Sequence, residues 1–409
     1  MSICCDQRVA PQSRRDMQPS ETARDILCFA NDWSGDPLSK KHVMVRLAKR
    51  HRVLWVNSIN NRRPRLARKD MSRVWQKLNG FKRGLQQVEE QIWVLTPLYV
   101  PFHGHALTRS INRWLLGWQI RRSIRQLRFD RRITYTFIPS SADVVGNLGE
   151  EQVIYHCVDE YSAFSDASGE IRAREHDLLA KSDLVFACSS PLLESKRQHN
   201  PNTYLITHGV DYDHFRRACD SGPIAPELAG LRGPILGFHG LIADWVDVKL
   251  IGELARLRPE WTIALVGRVD TDVSPLQNLA NVRLLGHRPY QRLPEYLRCF
   301  SVALLPFVWN ELTMNANPLK LREYLAAGLP VVAAPLPEVA RLARSEAAVF
   351  LASTASEYAQ RISGLLERGV AGPSQDRSVR MATESWDYKV AEIERFLASS
   401  QKGGPRGGC

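Results

Sequence analysis

Residues 315–332 read NANPLKLREYLAAGLPVV, a run that contains a helix start, a helix stop and the opening of a strand. Asn317 is a favourable N-cap residue and Pro318 a favourable first helical residue, so a helix is predicted to begin there. Leu321, Tyr324 and Leu325 give it a buried face, and Gly328 ends it ahead of a strand at Pro330–Ala333. A helix start offers unpaired N–H groups and the positive end of a dipole, which suits a diphosphate. Lys320 and Glu323 lie three apart, on one side of that helix. A cation near the phosphates and a carboxylate about a turn deeper would hold a diphosphate and a ribose hydroxyl pair. The same two residues also read as a solvated ion pair on a surface helix.

Outward from this run, strand-like and helix-like segments alternate along the chain. A first strand is predicted at Asp25–Ala30, a helix at Ser39–Arg50 and a second strand at Arg52–Val56. Further strands fall at Ile92–Leu95, Ile133–Phe137, Val153–Tyr155, Leu184–Ala187 and Thr203–Ile206. After Asp220–Pro234, rich in Gly, Pro and Ala, the series restarts at Ile235–Phe238 and continues through Thr262–Val266, Val282–Leu285 and Val302–Leu305. Alternation of this kind predicts parallel sheets covered on both faces. The expected fold class is therefore α/β, two doubly wound domains with a cleft between them, and ligands at the strand C-termini.

A chain of 409 residues has room for two such domains. Its 44% hydrophobic and 24% charged residues are those of a globular protein. No apolar run approaches the ~18 residues of a membrane span, and the first twenty residues lack a secretory h-region. The eight cysteines, Cys4, Cys5, Cys28, Cys157, Cys188, Cys219, Cys299 and Cys409, show no CxxC spacing, so reduced thiols are expected rather than disulfides or a zinc site. Charge is regional. Between Arg46 and Arg132 stand 21 Lys and Arg against four acids, an excess larger than the whole chain's +12.

The 315–332 run resembles the donor site of the GT-B glycosyltransferases. Many of these carry two glutamates separated by seven residues ahead of a small-residue turn and a Pro-Val-Val strand. Glu323 matches the second, which in the family holds the donor ribose, and Asn315 occupies the place of the first. The pairing of Asn-Pro-Leu-Lys with Glu-Tyr-Leu is similar to a bacterial subgroup that assembles polysaccharides such as teichuronic acid. Gly237-Phe-His-Gly240 and Gly267-Arg268 resemble the family's glycine turns beside the sugar diphosphate, with Arg268 reaching phosphate. Arg288 and Tyr290 follow the strand and loop that take the nucleobase, and Thr313 is a candidate hydroxyl donor. His208-Gly-Val-Asp211 stands at the domain junction, and Ser385-Trp386 opens a last helix that crosses back to the first domain. The resemblance thus implies donor binding by Gly240, Gly267, Arg268, Arg288, Thr313, Asn317, Pro318, Lys320 and Glu323.

It also implies the boundaries. Residues 1–23 are a lead-in, 24–215 an acceptor-side domain, 216–234 a linker and 235–384 the donor domain. The crossing helix is placed at 385–399 and a tail at 400–409. The implied activity is metal-independent hexosyl transfer from a nucleoside-diphosphate sugar, UDP-sugar favoured, to a saccharide or lipid-linked acceptor in cell-envelope glycan synthesis. The nucleotide sugar is a co-substrate and no cofactor is expected. A nucleotide-sugar epimerase of the same fold and a non-catalytic nucleotide-sugar-binding scaffold are the alternatives.

In the first half, Asp159 and Glu160 follow a strand, where either would act as general base on an acceptor hydroxyl, with His156 a rival. Asp159 or Ser162 capping the next turn is the competing reading. The loop with Asp32, Trp33 and Gly35 is expected on the acceptor side of the cleft. Asp211-Tyr-Asp213 and Asp270-Thr-Asp272 read as caps or turns rather than as metal ligands. In the helix-like stretch Thr108–Arg128, Ile111, Trp114, Leu115 and Trp118 share a face, with Arg121 and Arg122 nearby. Tryptophan with arginine suits an anionic bilayer interface, so a peripheral position at the inner face of the cytoplasmic membrane is expected. Packing of these tryptophans into the domain is the alternative. Nucleic acid is not the expected partner, since no helix-turn-helix, zinc or aromatic RNA-binding signature occurs.

Overall fold

The computed structural model of the chain describes residues 23–58, 84–99, 106–165, 167 and 169–399. The lead-in, the tail and the basic run at Arg62, Arg63, Arg65, Arg68, Lys69, Lys82 and Arg83 lie outside the described residues.

The first sheet contains β1 (Asp25–Ala30), β2 (Arg52–Asn57), β3 (Leu85–Glu89), β4 (Ile92–Leu95), β5 (Arg132–Thr136), β6 (Gln152–Cys157), β7 (Leu184–Ala187) and β8 (Thr203–Leu205). Their order is β3-β4-β2-β1-β5-β6-β7-β8, and every neighbouring pair is parallel except β3 with β4. The central strand β1 reads DILCFA and is buried along its whole length, as a strand covered on both faces must be. The second sheet contains β9 (Ile235–His239), β10 (Thr262–Val266), β11 (Val282–Gly286), β12 (Val302–Leu305), β13 (Val331–Ala333) and β14 (Val349–Leu351). It runs β11-β10-β9-β12-β13-β14, all parallel. That is a Rossmann order, and strand order reverses between β9 and β12 as it does between β1 and β5 in the first sheet. The loops after β1 and β9 leave the two sheets at these switch points.

The chain changes cores earlier than its composition suggests. Ile206 packs in the first core, whereas Val210, Phe215, Ala218, Ala225 and Leu228 pack in the second. Much of 216–234 is therefore wall of the second domain, and the crossover lies between Ile206 and Val210. Gly209 is needed there, because a Cβ would stand 2.8 Å from the Trp386 backbone. Val210 and Ser385 form a parallel bridge at this point, where the chain passes between domains twice. The final helix, Trp386–Ser399, then inserts Trp386, Val390, Ile393 and Leu397 into the first core. Arg46 and Lys49 pair with Asp387 of this helix, Arg50 with Glu394, and Arg52 with Asp25. Part of the basic excess is thus spent on internal ion pairs.

Candidate functional site

The helix of the 315–332 run spans Leu319–Ala326, with Pro318 as its N-cap rather than its first turn. Gly328 closes it at φ +69°, and the Leu329 N–H reaches back to the Tyr324 carbonyl, a Schellman end. Tyr324 anchors the helix to the end of β9: its hydroxyl accepts from the His239 N–H at 2.8 Å. This anchoring sets Lys320 and Glu323 beside the glycine turn that follows β9.

Here the glycines are obligatory. A Cβ on Gly267 would lie 1.7 Å from the Gly240 carbonyl oxygen, and one on Gly240 would lie 2.8 Å from Lys320 Cε. Gly240 also adopts φ +132°, which side chains rarely tolerate. Around this backbone, Lys320 Nζ and His239 Nε2 each stand 3.2 Å from Glu323 Oε2. Neither approach is aligned as a hydrogen bond, so Glu323 Oε2 is ion-paired with Lys320 but, like His239 Nε2, makes no hydrogen bond within the protein. Burial, and then the neighbouring Lys320, hold the His239 imidazole well below its usual range and keep it neutral. A buried carboxylate oxygen that accepts no hydrogen bond is costly unless a ligand hydroxyl donates to it. Gly240, Gly267, Lys320 and Glu323 therefore converge as one cradle.

The other residues read as donor contacts are placed differently. Asn317 does not cap the helix. Its Nδ2 donates to the Cys188 carbonyl of the first domain at 2.7 Å, and its Oδ1 accepts from Arg322 at 2.6 Å. Thr313 closes a capping box with Asn310, and its hydroxyl donates to the Val308 carbonyl at 2.5 Å. Arg288 is held by Tyr296 at 2.6 Å and Glu227 at 2.8 Å, and Arg268 is exposed. Tyr290 stacks on His214, with ring centroids 4.3 Å apart, and donates to Asp211 at 3.2 Å.

Across the cleft, Glu160 is a structural group and not a base. Lys196 bridges it at 2.8 Å to Glu175 at 2.9 Å, all three being buried. Burial would raise the Glu160 carboxyl, but Lys196 and Ser162 outweigh it and hold it low. His156 is 2% exposed, bonded through Nδ1 to Tyr135 at 2.9 Å and enclosed by Phe137 and Phe186. Burial and then Lys40 bring its pKa down to about 3, so it stays neutral inside the core. Asp159 is left as the candidate base. It is half-buried at the mouth of β6, and burial pushes its carboxyl up to about 6 against the pull of Lys40.

Lys40 is the residue that sequence reasoning missed. It is 6% exposed, and its ammonium donates to Asn31 at 2.8 Å and Tyr161 at 3.0 Å. Its signal was a cation in the first turn of a helix, at the unfavourable end of the dipole. In the neighbouring loop, Asp32 accepts from the Ser34 N–H at 3.0 Å and its hydroxyl at 2.8 Å, and Gly35 completes that turn. Trp33 packs edge-on against Trp55 with Lys41 over its ring. The two walls meet where Asp36 faces His287 at 3.0 Å and where Ser189 donates to the Asn315 carbonyl at 2.6 Å. Of the two acidic triplets, Asp211 takes Tyr290, Asp213 lies 3.5 Å from Arg216, and Asp272 caps Ser274.

Known proteins fit this geometry. Over the full molecule it is similar to the sucrose-phosphate synthase of Thermosynechococcus elongatus, with TM-score 0.69 and 14% identity over 92% of this chain and 99% of that one. It is likewise similar to HepE of Anabaena in complex with UDP-glucose, with TM-score 0.59 and 15% identity over 92% and 99% of the two chains. The fold is GT-B. Within it, residues 233–368, which carry the second sheet, match the family of glycosyl transferases group 1. In sequence, TuaH of Bacillus subtilis (strain 168), named as a teichuronic acid biosynthesis glycosyltransferase, is 30% identical over 210 residues. That match covers 47% of this chain and 52% of TuaH, so the chain spans about half the length of the curated relative it matches. The Lys320–Glu323 cradle lies inside the matched residues, and Asp159 and Lys40 belong to the first domain.

Proposed function

We propose that this protein transfers a hexosyl unit from a UDP-sugar to a saccharide or lipid-linked acceptor in bacterial cell-envelope polysaccharide synthesis. The observation that supports it most is Glu323 Oε2, buried without a hydrogen bond, ion-paired with Lys320 and set beside the Gly240–Gly267 turn. In this reading the ribose hydroxyls donate to Glu323. Lys320 and the start of its helix take the diphosphate without a metal, and the glycine turn admits the backbone to the sugar phosphate. The acceptor hydroxyl gives its proton to Asp159 while its oxygen attacks the anomeric carbon. The bond to the diphosphate breaks, and the leaving charge develops beside Lys320. Lys40 would keep Asp159 ionised against its burial. The name of TuaH and the UDP-glucose held by HepE support the substrate classes. The exposed tryptophans and arginines of the first domain support work at the inner face of the cytoplasmic membrane.

A thermal-shift screen against UDP-, GDP-, dTDP- and ADP-sugars tests the donor half. A ligand at a hundred times its dissociation constant stabilises the native state by ~2.7 kcal/mol. Stabilisation by UDP-sugars and glycosidic product with an envelope glycan acceptor are expected. Free UDP and an epimerised sugar without glycosidic product would instead mark an epimerase. Failure to bind any nucleotide sugar would mark a scaffold.

A further inference from the structure

The helix Ala106–Leu127 is built with two apolar faces. Leu116, Ile120 and Ile124 pack inward on the first core. Ile111, Trp114 and Trp118 point the other way and are 43%, 67% and 43% exposed. Packing into the domain therefore does not account for these tryptophans. A contiguous apolar strip on a basic helix calls for a partner.

Beside Trp114 the helix and the segment around Asp143 to Leu148 line a half-open cavity of about 320 Å³, at the small end for ligand sites. Arg113 and Arg121 line it, as do Trp114, Gly117 and Asn147. Gly117 is the telling residue. Glycine inside a helix costs stability relative to alanine. Here a Cβ would stand 3.2 Å from Arg121 Nη1, so the missing side chain lets the guanidinium lie along the helix and donate to the Asn147 carbonyl at 3.1 Å. The one acid in the wall, Asp143, lies 3.7 Å from Arg174 outside the lining. Two guanidinium groups thus face a small cavity whose acid already has a cation, with an apolar strip on its rim.

We propose that this cavity binds the phosphodiester headgroup of an anionic phospholipid of the phosphatidylglycerol class. Arg113 and Arg121 take the phosphate, and Trp114 and Ile111 enter the interface beside it. It deepens the membrane part of the proposed function and does not depend on the transfer reaction. A planar guanidinium suits phosphate geometry, and only a lipid supplies phosphate and hydrocarbon together.

The test is flotation of the full chain with phosphatidylcholine vesicles, with and without phosphatidylglycerol, at one salt concentration. Arg113→Gln/Arg121→Gln is compared with Arg122→Gln/Arg125→Gln, which removes the same charge from exposed positions of the same helix outside the cavity. Gly117→Val fills the cavity without changing charge. Near-UV circular dichroism and UDP titration check that each variant is folded. The expected result is binding only to phosphatidylglycerol vesicles, a fall of tenfold or more in partitioning for the cavity pair and for Gly117→Val, and about threefold or less for the control pair. Bromine-labelled acyl chains should quench tryptophan fluorescence in the wild type and less in Trp114→Phe. Equal losses in the two double variants would reduce the site to diffuse electrostatics and overturn it. So would equal binding to neutral vesicles, full displacement by millimolar glycerol phosphate, or preference for RNA over vesicles. Vesicle binding is read without donor, so failure of the transferase reading would show separately as absent UDP binding.

Discussion

Glu323→Gln separates a ribose contact from a merely structural carboxylate. The amide has the same shape, so the buried side chain is replaced without a cavity, and a negative charge disappears 3.2 Å from Lys320 Nζ and His239 Nε2. Hydrogen bonds to a charged group contribute roughly 1.5–3 kcal/mol and neutral ones roughly 0.5–1.5. Exchanging carboxylate for amide should therefore cost about 1–2 kcal/mol, or about five- to thirtyfold in Kd. The same carboxylate repels a diphosphate, so the loss should appear only with ligands that bring ribose hydroxyls. Isothermal titration with UDP and with 2′,3′-dideoxy-UDP isolates this. The wild-type protein should prefer UDP, and in Glu323→Gln that preference should shrink while the dideoxy compound binds as well or better. A preference that survives the substitution in a folded protein would remove Glu323 from the ribose and leave it as the ion-pair partner of Lys320.

Lys320→Ala should weaken UDP binding by about one to two decades through loss of charge-assisted bonds to the diphosphate, read by the same titration. In Gly267→Ala the new Cβ would stand 1.7 Å from the Gly240 carbonyl, so the turn must open, and UDP affinity should fall at least about tenfold. Because the Asp159 carboxyl is pushed up to about 6, kcat/KM should decline tenfold per unit as pH falls below that value, the base becoming protonated. Asp159→Asn should abolish this limb and lower kcat by roughly 10²–10⁴, checked by a pH–rate profile. Lys196→Ala leaves Glu160 and Glu175 buried without their cation, which should cost the first domain about 3–5 kcal/mol in denaturant unfolding.

What could be read from the sequence was what is local. β1, β4, β7, β10 and β12 are short apolar runs bounded by turns, and their expected and observed limits agree. Gly240 and Gly267 follow strands, and Lys320 and Glu323 share one helix side, so strand ends and helical period sufficed to bring them together. β3 escaped because LQQVE is a polar edge strand without apolar alternation, and β14 because its three residues stand between Ala- and Glu-rich stretches that read as helix. Other residues have tertiary partners that the sequence does not show. Asparagine favours caps, yet Asn317 is claimed by Arg322 and by a carbonyl of the other domain. Arg288 follows the strand expected to take the nucleobase, and Glu227 and Tyr296 hold it there. Glu160 and Asp159 are adjacent and alike in sequence. Lys196, 36 residues on, tells them apart by neutralising one in the core.

The helix Trp386–Ser399 belongs by packing to the domain that is synthesised first. Ile206 is the last earlier residue of that core, and the helix begins roughly 180 residues later, about 10–40 s of translation at ~5–20 residues per second. During that interval the first domain exposes the apolar groove that Trp386, Val390, Ile393 and Leu397 later fill. The usual order of folding during synthesis is thereby inverted: the nucleotide-side half can finish its core on the ribosome while the earlier half waits. Newly made chains should accordingly engage holding chaperones through the first domain, and a stop codon just before Trp386 should trap them there.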